Sequence, residues 1–169
     1  MLIYLQNRQR SIKINLNNLR KTIQTLTETR YFQGLLKRSI PVKGFEGLEV
    51  CVVLVGKDAI RKMNKRYRGF DKVTDVLSFP LFAPEACLDN GMLGDVVVCP
   101  ERAIQQADEY GIDPDDELLR LIIHGILHLL GYDHETDRKS SQRMLMIQNR
   151  LCTLVQSIKD KQTYFAIRD

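Results

Sequence analysis

Three histidines lie within eleven consecutive residues of this 169-residue chain, which contains no others. They are His124, His128 and His134. The first two are four residues apart, a spacing that places both rings on one face of a helix, one turn apart. His134 follows Gly131, a residue type that can end a helix and turn the chain back. Because the neutral imidazole nitrogen is a common ligand of transition metals, this cluster predicts a metal site.

The helix that carries the first two histidines is predicted to span residues 114–130. It is apolar around most of its circumference, so it should be buried. Imidazoles in such a helix need polar partners. Two hydrogen-bonded core histidines would meet that need, but a third histidine after the predicted reversal favours a metal. Three neutral ligands would leave a zinc ion its full charge and a fourth position for water, as in catalytic zinc sites.

The residues next to the histidines restrict the chemistry. Metallopeptidases of the His-Glu-x-x-His type carry a glutamate directly after the first histidine as general base, whereas this chain has Gly125. Peptide hydrolysis by that route therefore lacks its proton acceptor. Gly125 and Gly131 would remove side-chain bulk near the ion, although Gly131 could simply end the helix. Asp133 and Asp137 could orient a ligand histidine, and Asp133 could equally cap the turn.

The basic residues are concentrated in two segments. The net charge is only +4, but residues 1–47 hold nine basic and two acidic side chains, and residues 57–72 hold seven basic and two acidic ones. Such an uneven distribution could attract a polyanion to one surface. It could equally reflect solvated helix faces.

The remaining composition is that of an ordinary globular protein, with 44% hydrophobic and 27% charged residues. No apolar run is long enough for a membrane span, and no secretory signal is recognisable. The cysteines, which are Cys51, Cys87, Cys99 and Cys152, are widely spaced and form no Cys-x-x-Cys pair. This pattern predicts reduced thiols in a cytoplasmic protein and argues against cysteine as a metal ligand.

The periodic segments predict an α+β fold in a single domain over residues 1–169. Predicted strands span residues 2–6, 48–55, 74–79 and 93–99, and predicted helices span residues 16–36, 57–67, 100–110, 114–130 and 139–158. We therefore expect a mixed sheet of about four strands packed with about five helices, one of them the buried metal-binding helix. The polar tail, from about residue 159 to 169, is expected to fray.

Helix ends carry their own signals. Asn15 and Asp113 are predicted N-caps, the latter followed by a proline at the first helical position. The basic helix is predicted to be capped near Asp58 and to end at Gly69.

The histidine run, His-Gly-Ile-Leu-His-Leu-Leu-Gly-Tyr-Asp-His, resembles the signature of the YbeY family of bacterial endoribonucleases and ribosomal RNA maturation factors. Two other segments are similar to the family and occur in the same order. One is the stretch from Thr74-Asp75 to Pro80, and the other contains Gly94-Asp95. The resemblance covers roughly residues 48 to 150.

This resemblance implies one zinc ion per chain, held by His124, His128 and His134. It also implies that His124 and Arg68 are catalytic, since Arg68 stands at the family's Tyr-Arg position. A guanidinium near the metal can grip a phosphate and neutralise developing charge. Judged without the resemblance, Arg68 could be one more cation on a basic helix.

The implied function is metal-dependent cleavage of single-stranded RNA in the cytoplasm, without a membrane. The implied substrate is a ribosomal RNA precursor, with processing at the 3′ end of 16S rRNA, and the small ribosomal subunit is the implied partner. Two alternatives stay open: a metallopeptidase or other hydrolase, and a non-catalytic ribosome-assembly protein with structural zinc. The general base is not evident, so attack by water and attack by the RNA 2′-hydroxyl both remain.

The chain departs from the family pattern in two places. Val73 stands where the family usually has proline, and residues 138–143 are basic where family members are commonly acidic, although Met144 is retained. Neither departure alters the predicted ligands, but the second changes the local field and its possible partners.

Overall fold

A four-stranded mixed sheet runs through the computed structural model, which describes residues 1–40, 47–81, 91–132, 138–159 and 163–165. Its strands are β1 (Leu2–Asn7), β2 (Glu49–Leu54), β3 (Val76–Pro80) and β4 (Met92–Val98). Their order is β1-β2-β4-β3, with β1, β2 and β4 parallel and β3 antiparallel to β4. The predicted mixed sheet and single α+β domain are confirmed.

Six helices accompany the sheet in the described part of the chain. They are α1 (Leu16–Glu28), α2 (Arg30–Ser39), α3 (Lys57–Arg68), α4 (Pro100–Tyr110), α5 (Pro114–Leu129) and α6 (Arg138–Ile158).

The two faces of the sheet contact different hydrophobic clusters, as β2 shows. Val50, Val52 and Leu54 belong to the larger cluster, which contains residues of α1, α2, α5 and α6. Cys51 and Val53 belong to a smaller cluster with Ile60 of α3. This alternation follows from the two-residue period of a strand. Helices α1, α2, α5 and α6 therefore pack against one face of the sheet, and α3 packs against the other face.

The single helix predicted over residues 16–36 is wrong, because the chain breaks at Thr29. Thr29 has extended backbone angles (φ −61°, ψ 145°), and its Oγ1 accepts a hydrogen bond from the Phe32 N–H at 3.3 Å. It therefore ends α1 and caps α2. The apolar spacing continues across the break, so periodicity alone does not locate it.

The start of α3 also differs from the prediction. Its N-cap is Gly56, and Asp58 lies inside the first turn. The Lys57 N–H donates instead to the carboxylate of Glu101 at 2.9 Å, so a side chain from α4 satisfies this helix end. The predicted stop is confirmed, since Gly69 adopts the left-handed conformation at φ 78°.

Helix α5 is the buried helix that the sequence predicts. Its N-cap Asp113 accepts a hydrogen bond from the Asp115 N–H at 2.7 Å. Eleven of its sixteen residues are buried. The helix ends before Gly131, whose φ of 81° is left-handed. Its two histidines are thus held by a well-packed element between the sheet and α6.

The described part of the tail is docked rather than frayed. Tyr164 is fully buried, its N–H donates to Asp115 at 2.8 Å, and its hydroxyl donates to Thr22 at 3.0 Å. Phe165 donates its N–H to the same carboxylate at 2.9 Å. The expectation of fraying was wrong for residues 163–165, because a buried carboxylate at the start of α5 binds two backbone donors there.

Within the described ranges, no helix combines the length and the hydrophobicity that crossing a bilayer requires.

Candidate active site

His124 and His128 point their Nε2 atoms at each other. These atoms lie 3.1 Å apart, with the ring centroids at 4.7 Å and the ring planes at 79°. Two imidazoles that share a tetrahedral zinc ion at ~2.05 Å place their nitrogens about 3.3 Å apart. The pair is therefore spaced as two ligands of one ion would be. Both rings are partly exposed on an otherwise buried helix.

Gln148 of α6 fixes the tautomer of His124. Its amide oxygen lies 2.8 Å from Nδ1 of His124, and its side chain is buried. Because an amide oxygen only accepts, Nδ1 carries the hydrogen and the Nε2 of the neutral ring carries the lone pair. A hydrogen bond to the outer nitrogen of a ligand histidine is the usual way a protein orients it. The donor set thus fits a transition-metal ion.

The third predicted ligand, His134, lies outside the described residues, as do Asp133 and Asp137. Among the residues that are described, no group of three or more His, Cys, Asp or Glu side chains could hold a metal. That part of the chain contains two of the three predicted ligands, so the complete site stays a prediction.

Arg68 shares a cleft of about 730 Å³ with the two histidines. It is the last residue of α3, directly before the left-handed Gly69. The cleft is bounded by the end of α3, by β3 with the residues before it, and by one face of α5. Arg68 and the histidines, far apart in sequence, are therefore brought to one concave surface.

Arg120 lines the same cleft and was missed by the sequence analysis. Glu117 grips its guanidinium with both oxygens, at 2.6 Å to Nε and 2.5 Å to Nη2. Glu117 is fully buried, whereas about a third of the Arg120 side chain is exposed. The hydrogen bonds that Arg120 donates to this carboxylate raise the pKa of the guanidinium above its ordinary value. The result is a permanently charged donor held rigidly one turn from His124.

A sequence signal for Arg120 did exist. Positions 117, 120, 124 and 128 fall on one stripe of a helix, and all four are polar in an otherwise apolar segment. Gln148 carries a similar signal, as a polar residue in the buried stripe of α6 that also contains Met144 and Leu151.

Asp75 is the carboxylate of the cleft. Burial raises its pKa, but hydrogen bonds from the Gln106 side chain at 2.9 Å and the Val76 N–H at 2.8 Å outweigh this and lower the pKa below its ordinary value. Both carboxylate oxygens are therefore engaged, and the group is ionised at neutral pH. A carboxylate of lowered pKa is a weak base, so Asp75 suits positioning better than proton abstraction.

Gly125 faces the sheet rather than the site. A Cβ at this position would collide with Val96 of β4 and crowd the hydroxyl of Ser78 at 3.2 Å. The Ser78 hydroxyl also donates to the Gly125 carbonyl at 3.1 Å. The expectation that Gly125 clears space near the ion is wrong, because its missing side chain lets α5 approach β4. A metallopeptidase glutamate has no room there.

Gly131 has open space around its Cβ position, and its φ is 81°. It therefore acts as the helix stop, the second of the two roles considered from the sequence.

Aromatic side chains stand at the rim of the cleft. Tyr67 and Phe79 form an edge-to-face pair with centroids 5.0 Å apart, and the Arg66 guanidinium lies 5.3 Å from the Tyr67 ring. Tyr67 is more than half exposed. Exposed aromatic faces beside cations suit unpaired nucleobases.

Two of the cations of helix α3 are neutralised by a carboxylate that follows the helix. Arg61 and Lys65 both bind Asp71, at 2.7 and 2.8 Å. Hydrogen bonds from Lys65 and Arg61 lower the pKa of Asp71. The positive field of this segment is therefore weaker at Arg61 and Lys65 than the residue count suggests.

The chain is similar to known proteins of one family. The family model described as Endoribonuclease YbeY matches residues 4–156. An Endoribonuclease YbeY of Persephonella marina is 40% identical over 134 residues, which cover 79% of this chain and 88% of the relative. The Endoribonuclease YbeY of Thermodesulfovibrio yellowstonii is 36% identical over 149 residues, covering 86% and 91%.

A solved structure has the same fold. The solution structure of a Thermotoga maritima protein matches with a TM-score of 0.58 at 31% identity, covering 92% of this chain and 90% of that chain. With the family model spanning most of the sequence, the chain belongs to the YbeY family of endoribonucleases.

Proposed function

We propose that this protein is a metal-dependent endoribonuclease that cuts single-stranded RNA, with His124, His128 and His134 holding one zinc ion. The observation that carries the proposal is the approach of the two Nε2 atoms to 3.1 Å in the cleft that also contains Arg68. Metal ligands and phosphate-binding cations in one cleft are what phosphodiester cleavage requires.

The residues of the cleft have separable roles. Gln148 keeps the His124 ring in the tautomer that presents Nε2. Arg68 and Arg120 would bind the phosphate and neutralise the charge that develops as the phosphodiester is attacked. Bound zinc would supply a Lewis acid and a lowered pKa for coordinated water. Tyr67 would stack on a base next to the cut.

The identity of the nucleophile decides the product ends. Attack by water leaves a linear phosphate, whereas attack by the RNA 2′-hydroxyl leaves a cyclic one. Asp75 is a weak candidate for general base, because its pKa is lowered and its oxygens are occupied. Mass spectrometry of the cleavage products distinguishes the two routes.

The physiological substrate that we propose is a ribosomal RNA precursor of the small ribosomal subunit, processed in the cytoplasm. This extension rests on the family, which is involved in ribosomal RNA processing. The exposed cations and aromatic rings around the cleft support an RNA substrate in general and do not select this one.

The test compares four proteins purified with zinc on one single-stranded RNA: the wild type, His124→Ala, Arg68→Ala and Lys62→Ala. Lys62 is the control, because it is an exposed cation of the same helix that does not line the cleft. We expect about one zinc per chain in all except His124→Ala. Cleavage should be lost in His124→Ala and Arg68→Ala and retained in Lys62→Ala. Full cleavage by metal-free protein would refute the proposal.

A further inference from the structure

A second concavity, which we call the arginine groove, lies between α2 and α6 and has a volume of about 760 Å³. Arg38 of α2 and Arg143 and Arg150 of α6 line it, together with Tyr31 and Tyr132. It shares no lining residue with the cleft that contains the histidines. It is therefore a separate site.

The charge of the arginine groove is one-sided. Helices α2 and α6 contain seven basic residues and no acidic one. The three groove arginines are exposed, and none is paired with a carboxylate of the described residues. Like charges that have no counterion among the described residues repel each other, so a polyanionic ligand that neutralises them would bind favourably. A basic protein partner would be repelled.

The groove also offers surfaces for nucleobases. The rings of Tyr31 and Tyr132 are partly exposed in its wall, and Met146 is 72% exposed at its edge. The Ser39 hydroxyl donates to the Tyr132 hydroxyl at 3.2 Å, and the Arg143 guanidinium lies 5.7 Å from the Tyr132 ring centre. Aromatic faces set among arginines are the usual platform for single-stranded nucleic acid.

The groove is close to the active site along the chain. Tyr132 comes four residues after His128, just beyond the left-handed Gly131. On α6, Arg150 lines the groove only two residues after Gln148, which binds His124. The groove is therefore connected to the ligand-bearing helix through both the end of α5 and helix α6.

We propose that the arginine groove is a second binding site for single-stranded RNA. It anchors nucleotides that lie outside the cleft in which the RNA is cut. The inference rests on the proposed function, because it assumes that RNA occupies the cleft. It predicts that a long RNA binds more tightly than a short one, and that the difference depends on Arg143 and Arg150.

The test uses the double variant Arg143→Ala/Arg150→Ala and a matched control, Arg20→Ala/Arg102→Ala, which removes two arginines from α1 and α4. Fluorescence anisotropy gives the affinity for a labelled RNA of ~25 nucleotides, which is longer than the roughly 4–16 nucleotides of one single-strand site, and for one of ~6, which is near the lower end of that range. Cleavage of the short RNA is measured in parallel.

We expect the groove variant to lose about tenfold in affinity for the long RNA, with a salt dependence shallower by about 1.4 in slope because two phosphate contacts are gone. Binding and cleavage of the short RNA should stay at the wild-type level. The control variant should bind both RNAs, and cleave the short one, at the wild-type level. An unchanged affinity for the long RNA, or an equal loss in the control, would overturn the proposal.

Failure of the proposed function looks different. A wild type that cuts neither RNA would refute the endoribonuclease assignment. The anisotropy measurement would still decide whether the groove binds RNA, because it requires no cleavage.

Discussion

The amide oxygen of Gln148 accepts the Nδ1 hydrogen of His124 at 2.8 Å, and this bond joins α6 to the helix that carries the histidines. It leaves Nε2 of His124 directed at Nε2 of His128. The orientation of the first ligand is thus set by a residue on another helix, 24 positions away.

Gln148→Leu should weaken zinc binding by about 10–100-fold, because His124 loses the bond that fixes its ring and tautomer. The substitution places an apolar side chain of similar size in a buried position, so the fold should persist. Competition with a chromophoric chelator measures the affinity. Asn149→Leu, at the exposed neighbouring position, serves as control. Equal zinc affinity in wild type and Gln148→Leu would show that the bond does not position a ligand.

Removal of the metal should abolish RNA cleavage without unfolding the protein. Helix α5 buries eleven of its sixteen residues, and this packing does not require an ion. Circular dichroism before and after chelation reports the fold, and added zinc should restore cleavage. Unfolding on chelation would favour a structural zinc and a non-catalytic role in ribosome assembly.

Elements with a clear period could be predicted from the sequence, and contacts between elements could not. The strand β2 and the caps Asn15 and Asp113 are local features, so all three were correctly placed. The break at Thr29 was missed, because the apolar spacing runs through it. The hydroxyl of Thr29 caps the second helix there.

The candidate site divides in the same way. The spacing of His124 and His128 is local, so their shared face could be predicted. Arg68 was chosen only through the family resemblance, because nothing in its helix distinguishes it from Arg66. Its place in the cleft depends on how α3 ends beside β3, which is a tertiary relationship. The hydrogen bond between Gln148 and His124 likewise depends on the packing of α6 against α5.

Asp75→Asn should destabilise the protein at neutral pH and not at low pH. Hydrogen bonds hold the folded pKa of Asp75 below its ordinary value. Its contribution is therefore full above the unfolded pKa of about 3.9 and is lost as the pH falls through the folded pKa. We expect a loss of about 1–2 kcal/mol in unfolding free energy at pH 7. Urea unfolding at pH 7 and pH 3 measures it.

The control for this prediction is Asp108→Asn, an exposed carboxylate of α4. It should behave as wild type at both pH values. A loss in Asp75→Asn that is the same at pH 7 and pH 3 would mean that the ionised form is not what stabilises the fold.

Gly125→Ala should lower the unfolding free energy by about 1–3 kcal/mol, because its Cβ would collide with Val96. Thermal unfolding measures the change. In a Val96→Ala background the same substitution should cost less. Gly34→Ala is the matched control in α2, where an added Cβ meets only the end of Arg38 at 3.7 Å, and alanine should stabilise that helix slightly. Equal costs for Gly125→Ala with and without Val96 would contradict the packing argument.

Arg120→Met should be both unstable and inactive, for two separable reasons. It leaves Glu117 buried without a partner, which costs about 3–5 kcal/mol, and it removes a cation from the cleft. The double variant Glu117→Leu/Arg120→Met removes the buried charge as well, so it should regain most of the stability. It should still lack cleavage, because the phosphate-binding donor is missing. Unfolding curves and cleavage rates of the wild type, Arg120→Met, Glu117→Leu and the double variant complete the cycle. Recovery of cleavage along with stability in the double variant would reduce Arg120 to a structural partner of Glu117.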